Sequence, residues 1–324
     1  MKIKTGVLIK LALLLVVTSV STSKVALAQE PVSLGIFPPI LEVVIEPDSQ
    51  ITQVFKIYNQ GQEPLVLETK LVAFKPKGET GEITLEETIS EAEKSWFSFL
   101  NKNLALGDRF NLPAGQSQEV VLVINIPASH TDSEGYYTLL VQTVPDERIT
   151  DTLRIGGQIK VGSHILLSIS KQQKREQNIS IDSFKIENLL LELFNLKIID
   201  SFTPPAFTVK LKNDGKHFTK STGQITVTDL FGQKQVLNLS EENILAASIR
   251  QINCAEGEGE KLTPATCTAA GKFFVGSYQV SLKTANQEQN LTFISLPIKL
   301  MTGLAVIGVF LLIVKRAAKF RLDN

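Results

Sequence analysis

The chain has 324 residues, 43% hydrophobic and 20% charged, enough apolar side chain to bury sizeable cores and to exclude wholesale disorder. At roughly 150 residues per domain the length predicts two domains. Its 33 basic and 33 acidic residues cancel, but residues 1–28 carry four lysines and no acid. The last 25 residues carry Lys315, Arg316, Lys319 and Arg321 against Asp323, and the body between holds 25 basic and 32 acidic residues, a net of −7. An acidic body excludes the basic footprint of a nucleic-acid binder.

Residues 1–28 read as a secretory signal: a basic start, an apolar run from Leu11 to Val17, and the small triplet Ala26-Leu27-Ala28 with cleavage after Ala28. A retained anchor is the alternative, although the run is short for about 30 Å of hydrocarbon. From residue 30 to 170 the periodicity is that of strands. Ile40–Glu46, Ile51–Tyr58, Leu65–Phe74, Glu119–Ile126, Tyr136–Val144 and Leu153–Ser170 are short, partly alternating and rich in β-branched and aromatic residues. Asn59-Gln60-Gly61, Lys77-Gly78 and Pro113-Ala114-Gly115 punctuate them. Ile89, Trp96, Phe97 and Leu100 are spaced for a short helix over Ser90–Leu100.

Residues 171–178, eight polar residues without an apolar member, read as an interdomain joint, with a long charged hairpin inside one domain as the alternative. Strand patterns resume over 179–295, at Phe207–Lys212, Gln224–Leu230 and Gly276–Lys283. Residues 296–314, with Lys299 snorkelling, are long enough for a membrane helix. The basic tail 315–324 marks the cytoplasmic side. The fold expected is all-β: two tandem immunoglobulin-like β-sandwiches between a signal peptide and one transmembrane helix.

The two halves echo each other. Asn59-Gln60-Gly61 ends a strand and Gly135-Tyr136-Tyr137 opens a later one; Asn213-Asp214-Gly215 and Gly276-Ser277-Tyr278 repeat that order. Gly61 and Gly215 are expected to supply the positive φ of a tight turn. Gly135 and Gly276 lead into Tyr137 and Tyr278, read as corner tyrosines whose rings pack inside while the hydroxyls bond backbone.

Cys254 and Cys267, the only cysteines, flank a Gly-rich acidic loop. In an oxidising exterior they are expected to form a disulfide; two free thiols are the other possibility. No catalytic or cofactor motif is present: there is no His-Glu-x-x-His, Gly-x-Ser-x-Gly or phosphate loop. His130, His164 and His217 lie far apart in sequence and read as structural. Asp132 and Glu134, like Glu256, Glu258 and Glu260, read as solvated acidic loops, with calcium as the alternative. Trp96, Phe97 and Phe99 read as core, with an aromatic platform as the alternative. No cofactor, metal or catalytic residue is expected, and no enzymatic activity.

The order of parts, with Leu112–Pro127, Gly135–Val141, the turn Ile244-Leu245-Ala246-Ala247-Ser248 and Gly276–Leu282, distantly resembles the WxL-interacting cell-surface proteins of Gram-positive bacteria. That resemblance implies a first module associated with peptidoglycan and a second with a surface protein. Pilus-assembly chaperones share the same generic plan. Two functions are therefore expected in competition. One is a membrane-anchored binding or scaffolding protein for a cell-wall polymer or surface partner; the other is a chaperone-like factor that lends a strand edge to a secreted client.

Overall fold

The computed structural model describes residues 33–86, 88–144, 158–171, 178–194, 196–256 and 263–322. The signal peptide expected at 1–28, residues 172–177 of the polar joint, Leu153–Gly157 of the longest strand run, and Glu258 and Glu260 lie outside the described residues.

The first module is built from β1 (Leu34–Phe37), β2 (Ile40–Ile45), β3 (Ser49–Asn59), β4 (Leu65–Lys77), β5 (Glu82–Glu86), the one-turn helix α1 (Glu91–Lys94), β6 (Phe97–Phe99), β7 (Arg109–Leu112), β8 (Ser117–Ile126), β9 (Ser133–Thr143) and β10 (Lys160–Ile169). One sheet runs β1-β3-β8-β6. The other runs β2-β10-β9-β4-β5, with β7 also on β4. Alternation decides what faces the core. Phe55 and Ile57 of β3, and Val120, Leu122, Ile124 and Ile126 of β8, meet Leu139 and Val141 of β9 and Ile165, Leu167 and Ile169 of β10 in one buried cluster. Between β1 and β2 stand Pro38 and Pro39, which cannot donate to a ladder. There the chain leaves β3, to which β1 is antiparallel, and joins β10 in parallel on the opposite sheet.

The helix expected over Ser90–Leu100 shrinks to α1. A capping box holds it, with the Glu93 N–H donating to Ser90 Oγ and the Ser90 N–H to the Glu93 carboxylate. Phe97 leaves the helical spacing because it pairs, together with Phe99, as β6 with Ile124 and Leu122 of β8. A single turn cannot compete with that pairing and burial.

The second module continues with β11 (Ile179–Ile186), β12 (Leu191–Leu193), β13 (Leu196–Asp200), β14 (Ala206–Asn213), β15 (Thr219–Lys220), β16 (Gly223–Thr228), β17 (Lys234–Asn238), β18 (Asn243–Ile244), β19 (Ile249–Ile252), β20 (Cys254–Glu256), β21 (Thr263–Ala265), β22 (Cys267–Thr268), β23 (Gly276–Thr284) and β24 (Glu288–Leu296). One face is β11-β14-β19 with β22 on β14; the other is β12-β13-β24-β23-β16-β17. Val209 and Leu211 of β14 pack with Ile225 of β16, Val280 and Leu282 of β23 and Phe293 of β24. The Cys254–Cys267 disulfide, with its Cα atoms 4.9 Å apart, is buried in that core.

Pro297 ends β24, and helix α2 (Ile298–Leu322) follows at once. Its segment Ile298–Arg316 is long and apolar enough to cross a membrane. The helix starts two residues after residue 296, where the span was expected to begin, since Ser295 and Leu296 pair in the sheet with Gly276 and Asp200. The helix also runs on through the basic cluster that had read as a tail.

Candidate functional site

Each module is organised around one buried asparagine. Asn59 Oδ1 accepts the Gly61 N–H (3.0 Å), while its Nδ2 donates to the Glu63 (2.8 Å) and Leu112 (3.2 Å) carbonyls. Asn213 does the same, accepting from the Gly215 N–H (2.9 Å) and donating to the His217 (2.8 Å) and Ile244 (3.0 Å) carbonyls. The expectation of positive φ at Gly61 and Gly215 fails, since neither is among the positive-φ glycines. The asparagine side chain closes an Asx turn without it. Gly135 is needed for a different reason: a Cβ there would lie 2.5 Å from the Tyr137 ring.

The two tyrosines diverge. The Tyr137 ring is buried edge-on against Phe97, but its hydroxyl donates to the Glu93 carboxylate (2.9 Å) rather than to backbone. Glu93 is held below the ordinary carboxylate value, chiefly by its bond from Ser90. Tyr278 stacks on Phe293 and its hydroxyl accepts the Val275 N–H (3.3 Å), the backbone contact of a corner tyrosine. Gly276, at φ 93°, takes the left-handed conformation.

The modules meet along the outer face of the β2-β10-β9-β4-β5 sheet. Phe74, Leu166 and Phe218 form a small core shared between them, with Tyr136 and Leu245 beside it. The Tyr136 hydroxyl accepts the Ala246 N–H (2.9 Å), which places the Ile244–Ser248 turn on the first module. The β4–β5 hairpin reaches across: Glu79 takes the Lys210 ammonium on its carboxylate, and its carbonyl accepts the Gln251 N–H (2.6 Å). Glu42 binds Lys220 (3.3 Å) and Asn243 (2.7 Å). A cavity of about 220 Å³ remains between them, lined by His164, Phe74, Leu245 and Arg250.

Glu134 corrects the reading of a solvated acidic loop. It is buried in this joint, where its Oε1 accepts the Phe218 N–H (3.0 Å) and contacts His217 Nδ1 (3.0 Å). Burial pushes its carboxyl above the ordinary value. Ser168 Oγ lies 2.8 Å from the same His217 nitrogen. A serine, a histidine and an acid together suggest a hydrolase, but in such a triad the hydroxyl and the acid take opposite ring nitrogens so that a proton can pass. Here both meet Nδ1, and Ser168 is fully buried, so the cluster fastens the joint. His130 packs edge-on against Trp96, and His164 bonds Thr138. Trp96 and Phe97 are core, with Phe99 packed on it. No group of three or more metal-binding side chains occurs among the described residues.

The surface feature that sequence reasoning missed is the β12–β13 hairpin. Leu190, Leu191, Leu193, Phe194 and Leu196 are all exposed, Phe194 by 96%, and β12 is the edge of its sheet. Its one charge, Glu192, is paired with Lys197 across the hairpin (3.9 Å). Proteins guard sheet edges with charges, prolines, bulges or cover, and several of the other edges carry such a device. β1 runs into Pro38-Pro39; β5 carries Glu82 and Glu86; β11 has a register break beside Asp182; β17 carries Lys234; β19 is covered by Glu79. The run of leucines from 189 to 193 was the available signal, but it lacks both strand and helix periodicity.

No protein-family model and no curated protein matches the chain. Among solved structures it is similar to the class 5 fimbriae chaperone CfaA, at 16% identity and a TM-score of 0.38, covering 82% of this chain and 100% of that one. It is also similar to the E. coli chaperone DraB (15%, TM-score 0.33, 81% and 97%). A third is from a Salmonella enterica complex of the SafA pilin with the SafB chaperone (13%, TM-score 0.36, 82% and 98%). These are likenesses at low superposition scores, and the assignment of two β-sandwiches rests on the strand pairing itself.

Proposed function

We propose that this chain is a membrane-anchored, non-enzymatic assembly factor that lends the β12 edge of its second sandwich to a secreted or surface protein. The observation that carries this is the leucine-lined edge of β12, whose one charge is paired with Lys197, beside the fully exposed Phe194. An extended client segment can pair with such an edge through main-chain hydrogen bonds and seat alternate apolar side chains on the leucines. The apolar lining favours a polypeptide over a cell-wall polymer, whose hydroxyls would find no polar partner there. Helix α2 spans the membrane, with Lys315 and Arg316 on the cytoplasmic side and both sandwiches outside. The contacts across the joint suit this role, because they orient a client held on one module relative to the other. Membership of the WxL-interacting family remains a proposal on its own, supported by the placement of the apolar edge on the second module.

Replacing Leu191 and Leu193 together by lysine in the full chain tests the reading. The hydrophobic edge is lost while the fold, which these exposed side chains do not support, is kept. The expected outcome is a fall in the surface level of one or more secreted proteins to that seen without the chain; an unchanged surface proteome contradicts the proposal.

A further inference from the structure

A second apolar surface lies where the second sandwich meets α2. Phe202, Leu230, Phe231, Phe273 and Val275 are each more than half exposed, Phe231 by 83%. They come from three separate turns, yet the pairing brings them to one level. Gly276 pairs with Ser295, two residues before Pro297, and Leu230 lies against Gly276. The Ser201 N–H donates to the Leu296 carbonyl and the Phe274 N–H to the Ser201 carbonyl, and the Phe202 and Phe273 rings sit 5.2 Å apart. This apolar layer therefore surrounds the point at which the chain enters the helix.

The helix is also fastened there. Asp200, almost fully buried, accepts the Lys299 N–H (2.9 Å) and the Phe202 N–H (3.1 Å), joining the first turn of α2 to the end of β13. With only Pro297 between β24 and α2, the direction of the helix fixes which face of the sandwich points along it. Asp200 and Asp229, which anionic headgroups would repel, are both occupied by backbone N–H groups.

We infer that this face is a lipid-binding collar: the second sandwich is seated on the bilayer with Phe202, Leu230, Phe231, Phe273 and Val275 inserted at the headgroup level. An apolar face of Phe and Leu held at a membrane surface reaches about 5–10 Å into the headgroup and acyl boundary. The inference rests on the reading of α2 as a membrane span. Seating by the collar leaves the tip of the β12–β13 hairpin clear of the surface, since β13 runs parallel to β24 and Phe194 lies six residues, or about 20 Å, before Asp200, the partner of Leu296.

The test uses the full chain reconstituted in vesicles of phosphatidylcholine with either ordinary acyl chains or chains brominated close to the headgroup, bromine being a contact quencher of tryptophan. Three variants, Phe231→Trp, Leu311→Trp and Phe194→Trp, are compared with the parent, whose single Trp96 is buried in the first module and sets the baseline. The collar predicts loss of the added fluorescence and a blue-shifted emission for Phe231→Trp in the brominated vesicles, and none for Phe194→Trp. Quenching of Leu311→Trp without quenching of Phe231→Trp overturns the collar while the spanning helix stands. Quenching of neither overturns both. Equal quenching of Phe194→Trp and Phe231→Trp means that the module lies on its side, which also overturns the collar.

Discussion

The two sandwiches solve the same internal problem in the same way and differ in what they show to the outside. Asn59 and Asn213 occupy matching turns, each closing an Asx turn and bonding one carbonyl four residues on and one from a distant strand. Around them the supports diverge. The first module braces its core with the Trp96, Phe97 and Tyr137 rings and the Tyr137–Glu93 bond, whereas the second has a buried disulfide. The second module also presents the exposed β12–β13 hairpin and the apolar collar, while β2 of the first is taken up partly by the joint through Glu42. One scaffold used twice thus carries the leucine-lined hairpin and the Phe202–Phe273 face on its second copy.

The asparagines give the sharpest way to separate the modules. Asn59→Ala removes the bonds to the Glu63 and Leu112 carbonyls and from the Gly61 N–H, and at about 1 kcal/mol per hydrogen bond the cost is about 3 kcal/mol. Calorimetry of the full chain should show the first module's unfolding lowered by Asn59→Ala and the second's by Asn213→Ala; equal effects of both variants on a single transition would mean that the modules unfold as one unit. Removing the disulfide by Cys254→Ser with Cys267→Ser is expected to cost the second module about 3 kcal/mol in the chain-entropy model and to leave the first unchanged.

Tyr137→Phe removes a hydroxyl bond but keeps the ring, so the first module should lose about 1 kcal/mol, with no change in the second. The smallest effect concerns the joint. Glu134 is raised above its ordinary value by burial, so the folded state holds its proton more tightly than the unfolded one. Its contribution is fully present below about pH 4.5 and is lost as pH rises through the raised value. Glu134→Gln should flatten the pH dependence of stability above 4.5, as read by denaturant midpoints across a pH series. An unchanged slope would place Glu134 outside the joint's energetics.

Much of this arrangement was legible in the sequence because period-2 alternation in β3, β8 and β14 reports directly which residues face a core. The paired Asn-x-Gly turns were visible as well, but the emphasis fell on the glycines, while the working atoms are the asparagine Oδ1 and Nδ2, whose distant carbonyl partners no local pattern reveals. Trp96, Phe97 and Leu100 misled because their spacing fits a helix until β8 is present to pair with Phe97 and Phe99. Glu134 read as a solvated acid because its burial is created by His217 and Phe218, about 80 residues away. The β12 edge stayed hidden because exposure of a leucine run depends on which strand ends the sheet, which is a property of topology and not of composition.

The measurement that bears most directly on the proposed role is site-specific photo-crosslinking from a reactive residue placed at position 194 of the full chain in its own membrane, with position 37 on the first module as comparison. Strand lending predicts a covalent adduct from position 194, and not from 37, with a secreted protein that fails to fold when this chain is absent. Adducts that form equally from both positions, or that contain only partners which fold without this chain, would contradict it.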